Sequence, residues 1–131
     1  AHVIERDGAR LTVVGLDDLW AGRFDPKQAF AECGTDGLRL VLQHNPDGVD
    51  QLPTMTESLV LSGHTHGGQV RLPWLGRLRL SVDNEAYAYG MISVSASQQM
   101  YVTSGVGYNR HARLGVRPEV AVFTLRRAGE A

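Results

Sequence analysis

The sequence predicts an α/β (α+β) fold: one β-rich mixed sheet carrying one or two short helices. Two patterns and a composition predict it. The first half alternates strand-like apolar runs with helix-start signals, the order that builds parallel strand pairs through crossovers. The second half shows strand-like runs broken by turns and no helix of any length, which implies antiparallel or mixed pairing. The chain has 131 residues, 43% hydrophobic and 21% charged. A globule of that size and composition forms a core without disulfide staples.

Residues 2–6 and 10–16 are β-rich runs joined by Asp7-Gly8, a strong short hairpin signal. Leu11 to Leu16 is apolar nearly throughout, so this strand is expected to be covered on both faces. Asp25-Pro26-Lys27-Gln28 reads as a helix start, with Asp25 as cap and Pro26 at the first helical position. Ala29, Phe30 and Cys33 supply its buried side, and Gly34 ends it in a left-handed turn. Leu38 to Gln43 is the next strand, ending at His44. Asn45 then caps a short helix that begins at Pro46 and runs to about Leu52. Ser58 to Ser62 is a third apolar strand, and it stops at Gly63-His64-Thr65-His66-Gly67-Gly68. Further strands are expected over 69–72, 77–82, 86–95, 99–104 and 119–126.

Composition excludes several classes of function. Thirteen basic side chains against fourteen acidic ones give a net charge of −1, so neither nucleic acid nor an anionic membrane is favoured as a partner. A single cysteine, Cys33, forms no internal disulfide and is expected as a buried apolar residue. No apolar run approaches the roughly 20 residues of a membrane-spanning helix. The chain opens directly on a strand, without Met or a signal-like segment, which suggests one partial domain over 1–131 cut from something longer.

Chemistry concentrates in three histidines at the carboxyl ends of the expected strands: His44, His64 and His66. Ligands of open α/β sheets bind just beyond those ends. In extended chain, positions i and i+2 project to one side about 7 Å apart, so the two rings of a His-x-His can serve one metal or a closely spaced pair. Gly63, Gly67 and Gly68 permit the close backbone approach that a tight loop around an ion or phosphate needs. Imidazole donors suit zinc, iron and manganese. Carboxylates are scarce in this cage. Asp17 and Asp18 follow a strand end and are rim candidates, as is Asn45, whereas Asp47 falls in the turn after His44. His2 and His111 read as surface residues.

Gln43-His44-Asn45-Pro46-Asp47 followed by Ser62-Gly63-His64-Thr65-His66-Gly67-Gly68-Gln69-Val70 resembles the later motifs of the calcineurin-like metallophosphoesterases. The chain is most similar to a bacterial branch whose signature continues into Gly-Gly-Gln and a proline, here Pro73. Gly15-Leu16-Asp17-Asp18, Tyr101 to Gly107, Arg113, Pro118-Glu119-Val120 and Thr124-Leu125 carry the likeness over nearly the whole chain. The resemblance implies the carboxyl-terminal half of a four-layer α/β/β/α sandwich that hydrolyses phosphomonoesters or phosphodiesters with two divalent ions, Mn, Zn or Fe. It implies His44 and His64 on one ion and His66 on the other, with the pair holding phosphate oxygens and activating a hydroxide for in-line attack. Arg113 is the candidate for phosphate charge, with Arg110 and Arg117 behind it. Relatives in this branch tend to be membrane-associated or exported.

The branch's earlier motifs, Asp-x-His, Gly-Asp-x-x-Asp and Gly-Asn-His, are absent from this sequence. With them go the bridging carboxylate, the Asn ligand and the acid histidine, leaving at most three ligands. Sheet edges and an apolar face are therefore expected to lack cover unless the amino-terminal half or a second chain supplies it. Two rivals stand beside the phosphoesterase reading. A cupin-like metal module wants a Glu shortly after the second histidine of its His-x-His, where this chain has Val70 and Arg71. A non-catalytic structural fragment would leave the histidines without metal. Trp20, Trp74 and Leu75 are expected mainly as partly buried packing, with a substrate- or lipid-facing rim as the alternative.

Overall fold

Apolar residues at alternate positions give this chain its first organising element, a sheet with one well-buried face. The computed structural model describes residues 1–34, 36–54, 57–77, 81–107 and 112–126. Strands β1 (His2–Arg6) and β2 (Ala9–Gly15) form the expected hairpin, with Asp7 and Gly8 both at positive φ in its turn. Helix α1 (Pro26–Phe30) follows, capped by the Asp25 carboxylate, which accepts from the Gln28 amide. Next come β3 (Leu38–Leu42), a 3-10 helix at Pro46–Gln51, and β4 (Ser58–Ser62). A two-strand ribbon, β5 (Arg71–Leu72) with β6 (Gly76–Arg77), precedes β7 (Gly90–Ser93) and β8 (Gln98–Val102).

The main sheet has the order β1-β2-β3-β4-β8-β7. Its four central strands are parallel, and the two edges pair antiparallel. The mixed α/β class expected from the sequence is therefore the one observed. Val14, Val41, Val60, Met100 and Val102 are buried on one face, with Cys33, Val49 and Leu52 packed onto them and Phe24, Ala29 and Phe30 alongside. Cys33 is a buried free thiol, as expected.

The other face differs from expectation. Leu11, Val13, Leu40, Leu59 and Leu61 are only half-buried and Leu42 is exposed, so β2 is covered fully on one side alone. Short strands without a second layer over this face account for it: no element among the described residues packs across these side chains.

Several boundaries also move. The helix expected from Pro26 to Cys33 stops at Phe30, and the one expected from Pro46 is 3-10. Both runs are short, and short helices nucleate poorly without a long amphipathic face. Of the run 86–95, the first two residues belong to the 3-10 turn Glu85–Tyr87 and only Gly90–Ser93 is strand. The run 69–72 contributes Arg71–Leu72 alone, because Gln69 still belongs to the histidine loop. In the run 77–82, residues 78–80 lie outside the described residues. The expected strand at 119–126 is irregular: its alternating Val120 and Val122 stay exposed, since no strand among the described residues pairs with them. No helix among the described residues is long and apolar enough to cross a membrane.

Candidate metal centre at the carboxyl edge of the sheet

Parallel pairing of β3 and β4 brings their following loops side by side. The ladder continues past both strands, with the Gln43 amide donating to Leu61 O at 3.1 Å and the Gly63 amide donating to His44 O at 3.1 Å. Leu16 and Thr103 extend the neighbouring ladders to Leu42 O and Ser62 O in the same way. Register therefore sets His44 against the start of the Gly63 loop, and the rings meet. His64 Nδ1 lies 2.9 Å from His44 Nε2, with ring centroids 4.8 Å apart.

The loop that carries His64 is held in an uncommon shape. His64, His66 and Gln69 all have positive φ (66°, 51° and 51°), as do Gly67 and Gly68. Non-glycine residues rarely adopt that region, and such strain persists only where surroundings enforce it. Thr65 supplies the enforcement. It is buried, donates to Ala88 O at 2.7 Å, and accepts from the Gly67 amide at 3.1 Å. A Cβ on Gly67 would lie 2.8 Å from Val116 Cγ1, and Gly67 is left-handed, so glycine is required there on both counts.

His64 is the most shielded of the set. Its Nε2 is buried and unpartnered, and the edge of Trp20 stands over it with centroids 4.5 Å apart at 84°. Desolvation, then repulsion from His44, pushes the His64 imidazole below its ordinary range; the Ser81 backbone, which favours the charged ring, and the Asp18 carboxylate oppose this without reversing it. A neutral ring is the form a metal ligand needs. His66 departs from the pair: its Nδ1 faces Gly107 O at 3.2 Å. Among the described residues, no group of three His, Cys, Asp or Glu converges as a metal cage.

The remaining candidates sit as follows. Asp17 accepts from the Asp18 amide and pairs with Arg23 at 3.3 Å, while Asp18 caps the 3-10 turn Leu19–Ala21 by accepting from the Trp20 amide at 2.7 Å. Asn45 is buried, caps Pro46–Gln51 through the Asp47 amide, and leaves its Nδ2 unpartnered. Asp47 accepts from the amides of Asp83 and Asn84 at 2.8 and 3.2 Å, tying that turn to the site. Arg113 donates to the carbonyls of Ser104, Gly105, Gly107 and Arg117, so its guanidinium clasps the 104–107 loop. Arg110 and His111 lie outside the described residues.

Three features were not singled out from sequence: the Thr65 pillar, the Trp20 stack on His64, and Glu119. Glu119 accepts from the Tyr101 hydroxyl and from Ser104 Oγ at 3.3 Å. Trp20, Trp74 and Leu75 are 65%, 95% and 72% exposed, against the expectation of partial burial; Trp20 packs on His64, and the tip of a two-residue strand pair offers Trp74 and Leu75 nothing to pack on.

Comparison with known proteins agrees with the loop chemistry. The chain is 38% identical over 125 residues to Phosphodiesterase YaeI of Escherichia coli K12, a match covering 95% of this chain and 45% of the relative. It is 34% identical over 121 residues to the uncharacterized metallophosphoesterase YkuE of Bacillus subtilis 168, covering 92% and 42%. It is 33% identical over 120 residues to UDP-2,3-diacylglucosamine pyrophosphatase LpxG of Chlamydia trachomatis serovar D, covering 86% and 36%. No family model matches the chain, and no solved structure matches it significantly. Over nearly its whole length the chain is similar to metallophosphoesterases. It spans less than half the length of these relatives.

Proposed function

We propose that this chain supplies the histidine-bearing part of a metal-dependent phosphoesterase that hydrolyses a phosphomonoester or phosphodiester. The observation that carries the reading is the 2.9 Å approach of His44 Nε2 and His64 Nδ1 on a strained loop at the carboxyl edge of parallel strands. Two imidazole nitrogens this close, one on a ring kept neutral by burial, fit a divalent transition ion by donor chemistry. His44 and His64 hold one ion and His66 a second; manganese, zinc and iron all suit such donors. When bound, such ions polarise phosphoryl oxygens and lower the pKa of water.

The chain's own residues prepare that site. Thr65 and the loop glycines fix the backbone from which both histidines project. Trp20 excludes water from one side of His64, and Arg113 holds the 104–107 loop against His66 through Gly107. Asp18 places a negative charge near the imidazoles. The half-covered sheet face, with Leu42 exposed beside half-buried Leu40 and Leu61, takes as its partner the further polypeptide that the relatives' length implies, and that polypeptide brings the carboxylate ligands.

The test is turnover and metal content of the protein carrying this chain, using bis-p-nitrophenyl phosphate and p-nitrophenyl phosphate. His64→Ala and His66→Ala are expected to lower turnover by at least about a hundredfold, in the range seen when a transition-state charge stabiliser is removed. Unchanged turnover and unchanged metal in both variants would overturn the reading.

A further inference from the structure

Behind the histidine loop lies a second concavity of about 370 Å³, and its charge is one-sided. Arg71 on β5, Arg77 on β6 and Arg117 from the loop beyond Gly115 all line it, against the single carboxylate of Glu119. That carboxylate is engaged elsewhere: it accepts from the Tyr101 hydroxyl and from the hydroxyl of Ser104. Among the described residues the only ion pairs are Arg6–Asp7 and Arg23–Asp17, so none of the three arginines is paired with an acid.

The walls are built rather than incidental. Arg71 N donates to Leu114 O at 2.8 Å and Leu114 N donates to Gln69 O at 2.9 Å, joining the ribbon to the far wall. Gly115 is left-handed, and a Cβ there would fall 2.4 Å from Arg71 O, so the two segments meet closer than any side chain allows. The Arg77 stem crosses Gly68 at 3.1–3.2 Å from its would-be Cβ, and Arg77 Nε donates to Gly67 O at 3.2 Å. Three arginines from three segments therefore line one pocket whose wall, Gly67, is the residue after His66.

We propose that this pocket is an oxyanion site that takes a phosphate group. Guanidiniums bind phosphate oxygens through paired, charge-assisted hydrogen bonds, and three arginines around a pocket whose one carboxylate is already hydrogen-bonded suit such a ligand. The shared chemistry fits two sources, a free phosphate ion and a phosphoryl group borne by an organic molecule. The site uses none of the histidines and stands whether or not they hold metal.

The experiment is calorimetric titration of the full chain, stripped of metal by chelation, with inorganic phosphate at fixed ionic strength. Saturable one-to-one uptake is expected, weakened about tenfold by Arg71→Gln and likewise by Arg117→Gln, the loss of one charge-assisted contact each. His64→Ala should leave it unchanged. No saturable uptake, or uptake that falls with His64→Ala and not with the arginine variants, overturns the proposal. Should a glutamine variant fail to fold, Arg71→Lys decides in its place: it keeps the charge, loses the fork, and is expected to bind severalfold more weakly. Competition by methyl phosphate identifies an esterified phosphoryl group as the ligand, and its failure to compete identifies the free ion; the pocket stands in both cases.

Discussion

Trp20 meets His64 edge to face, with ring centroids 4.5 Å apart and planes at 84°. The contact joins the first strand-end turn, capped by Asp18, to the loop after β4, although 44 positions of sequence separate the two rings. It also explains why a ring at the rim of an open sheet has a buried nitrogen. An aromatic pair of this kind is worth about 0.5–1.5 kcal/mol beyond its buried area. Trp20→Ala is expected to hydrate His64 and to move its titration back up toward 6.5, the ordinary value. Following the His64 Cε1 proton by NMR across pH in the metal-free chain checks it; an unmoved midpoint would show that burial comes from elsewhere.

The same lowered pKa makes stability depend on pH. Desolvation, followed by His44, disfavours the charged ring in the folded state, so the unfolded chain binds the proton more readily. Folding stability of the metal-free protein therefore falls as pH drops from about 6.5 to the folded midpoint, and is level with respect to this group below it. Denaturation midpoints measured from pH 7.5 downward should show a shallower decline in His64→Gln than in the parent.

Glu119 has the opposite sign. Burial pushes its carboxyl up, but hydrogen bonds from Tyr101, Tyr89 and Ser104 outweigh that and hold it below its ordinary range. The stability it contributes is present above 4.5, the ordinary value, and is lost as pH falls through the folded midpoint. Tyr101→Phe should remove about 1 kcal/mol at neutral pH, a hydrogen bond to a charged group discounted for partial exposure. At a pH where Glu119 is protonated, the difference between parent and variant should shrink, which urea titration at both pH values will measure.

Glycine substitutions separate backbone strain from collision. Gly22 and Gly115 share a φ of 71°, yet a Cβ on Gly22 meets nothing within 4 Å while one on Gly115 meets Arg71 O at 2.4 Å. Gly22→Ala should cost about 1 kcal/mol, the left-handed penalty alone. Gly115→Ala should cost on the order of 3 kcal/mol, because a main-chain oxygen must move. Equal losses in thermal unfolding would contradict the close approach that builds the arginine pocket.

Local signals carried the parts of the fold that local physics decides. Asp7-Gly8 named its hairpin, Asp25-Pro26 its helix start, and the apolar runs at 38–42 and 58–62 their parallel strands, all of which the structure contains. The convergence of His44 and His64 followed from their shared position at strand ends. Non-local pairing was not legible. The run 119–126 alternates like a strand, but alternation does not say whether a strand pairs with it, and none does among the described residues, where it meets β8 only through side chains such as Phe123 on Tyr101. Nor could spacing show that His64 and His66 would take left-handed backbone, which replaces the simple i, i+2 geometry and turns His66 toward Gly107. The Arg113 contacts, with four carbonyls brought around one guanidinium by a loop, depend on tertiary closure and left no mark in composition.

The most direct measurement is calorimetric titration of the metal-free chain with Mn²⁺ and Zn²⁺, in the parent and in His44→Ala and His64→Ala. The paired imidazoles predict saturable uptake in the parent and a loss of at least about tenfold in affinity in each variant, since each deletes one of the two facing nitrogens. Uptake that is equally tight in all three proteins would contradict the assignment of His44 and His64 to a common ion.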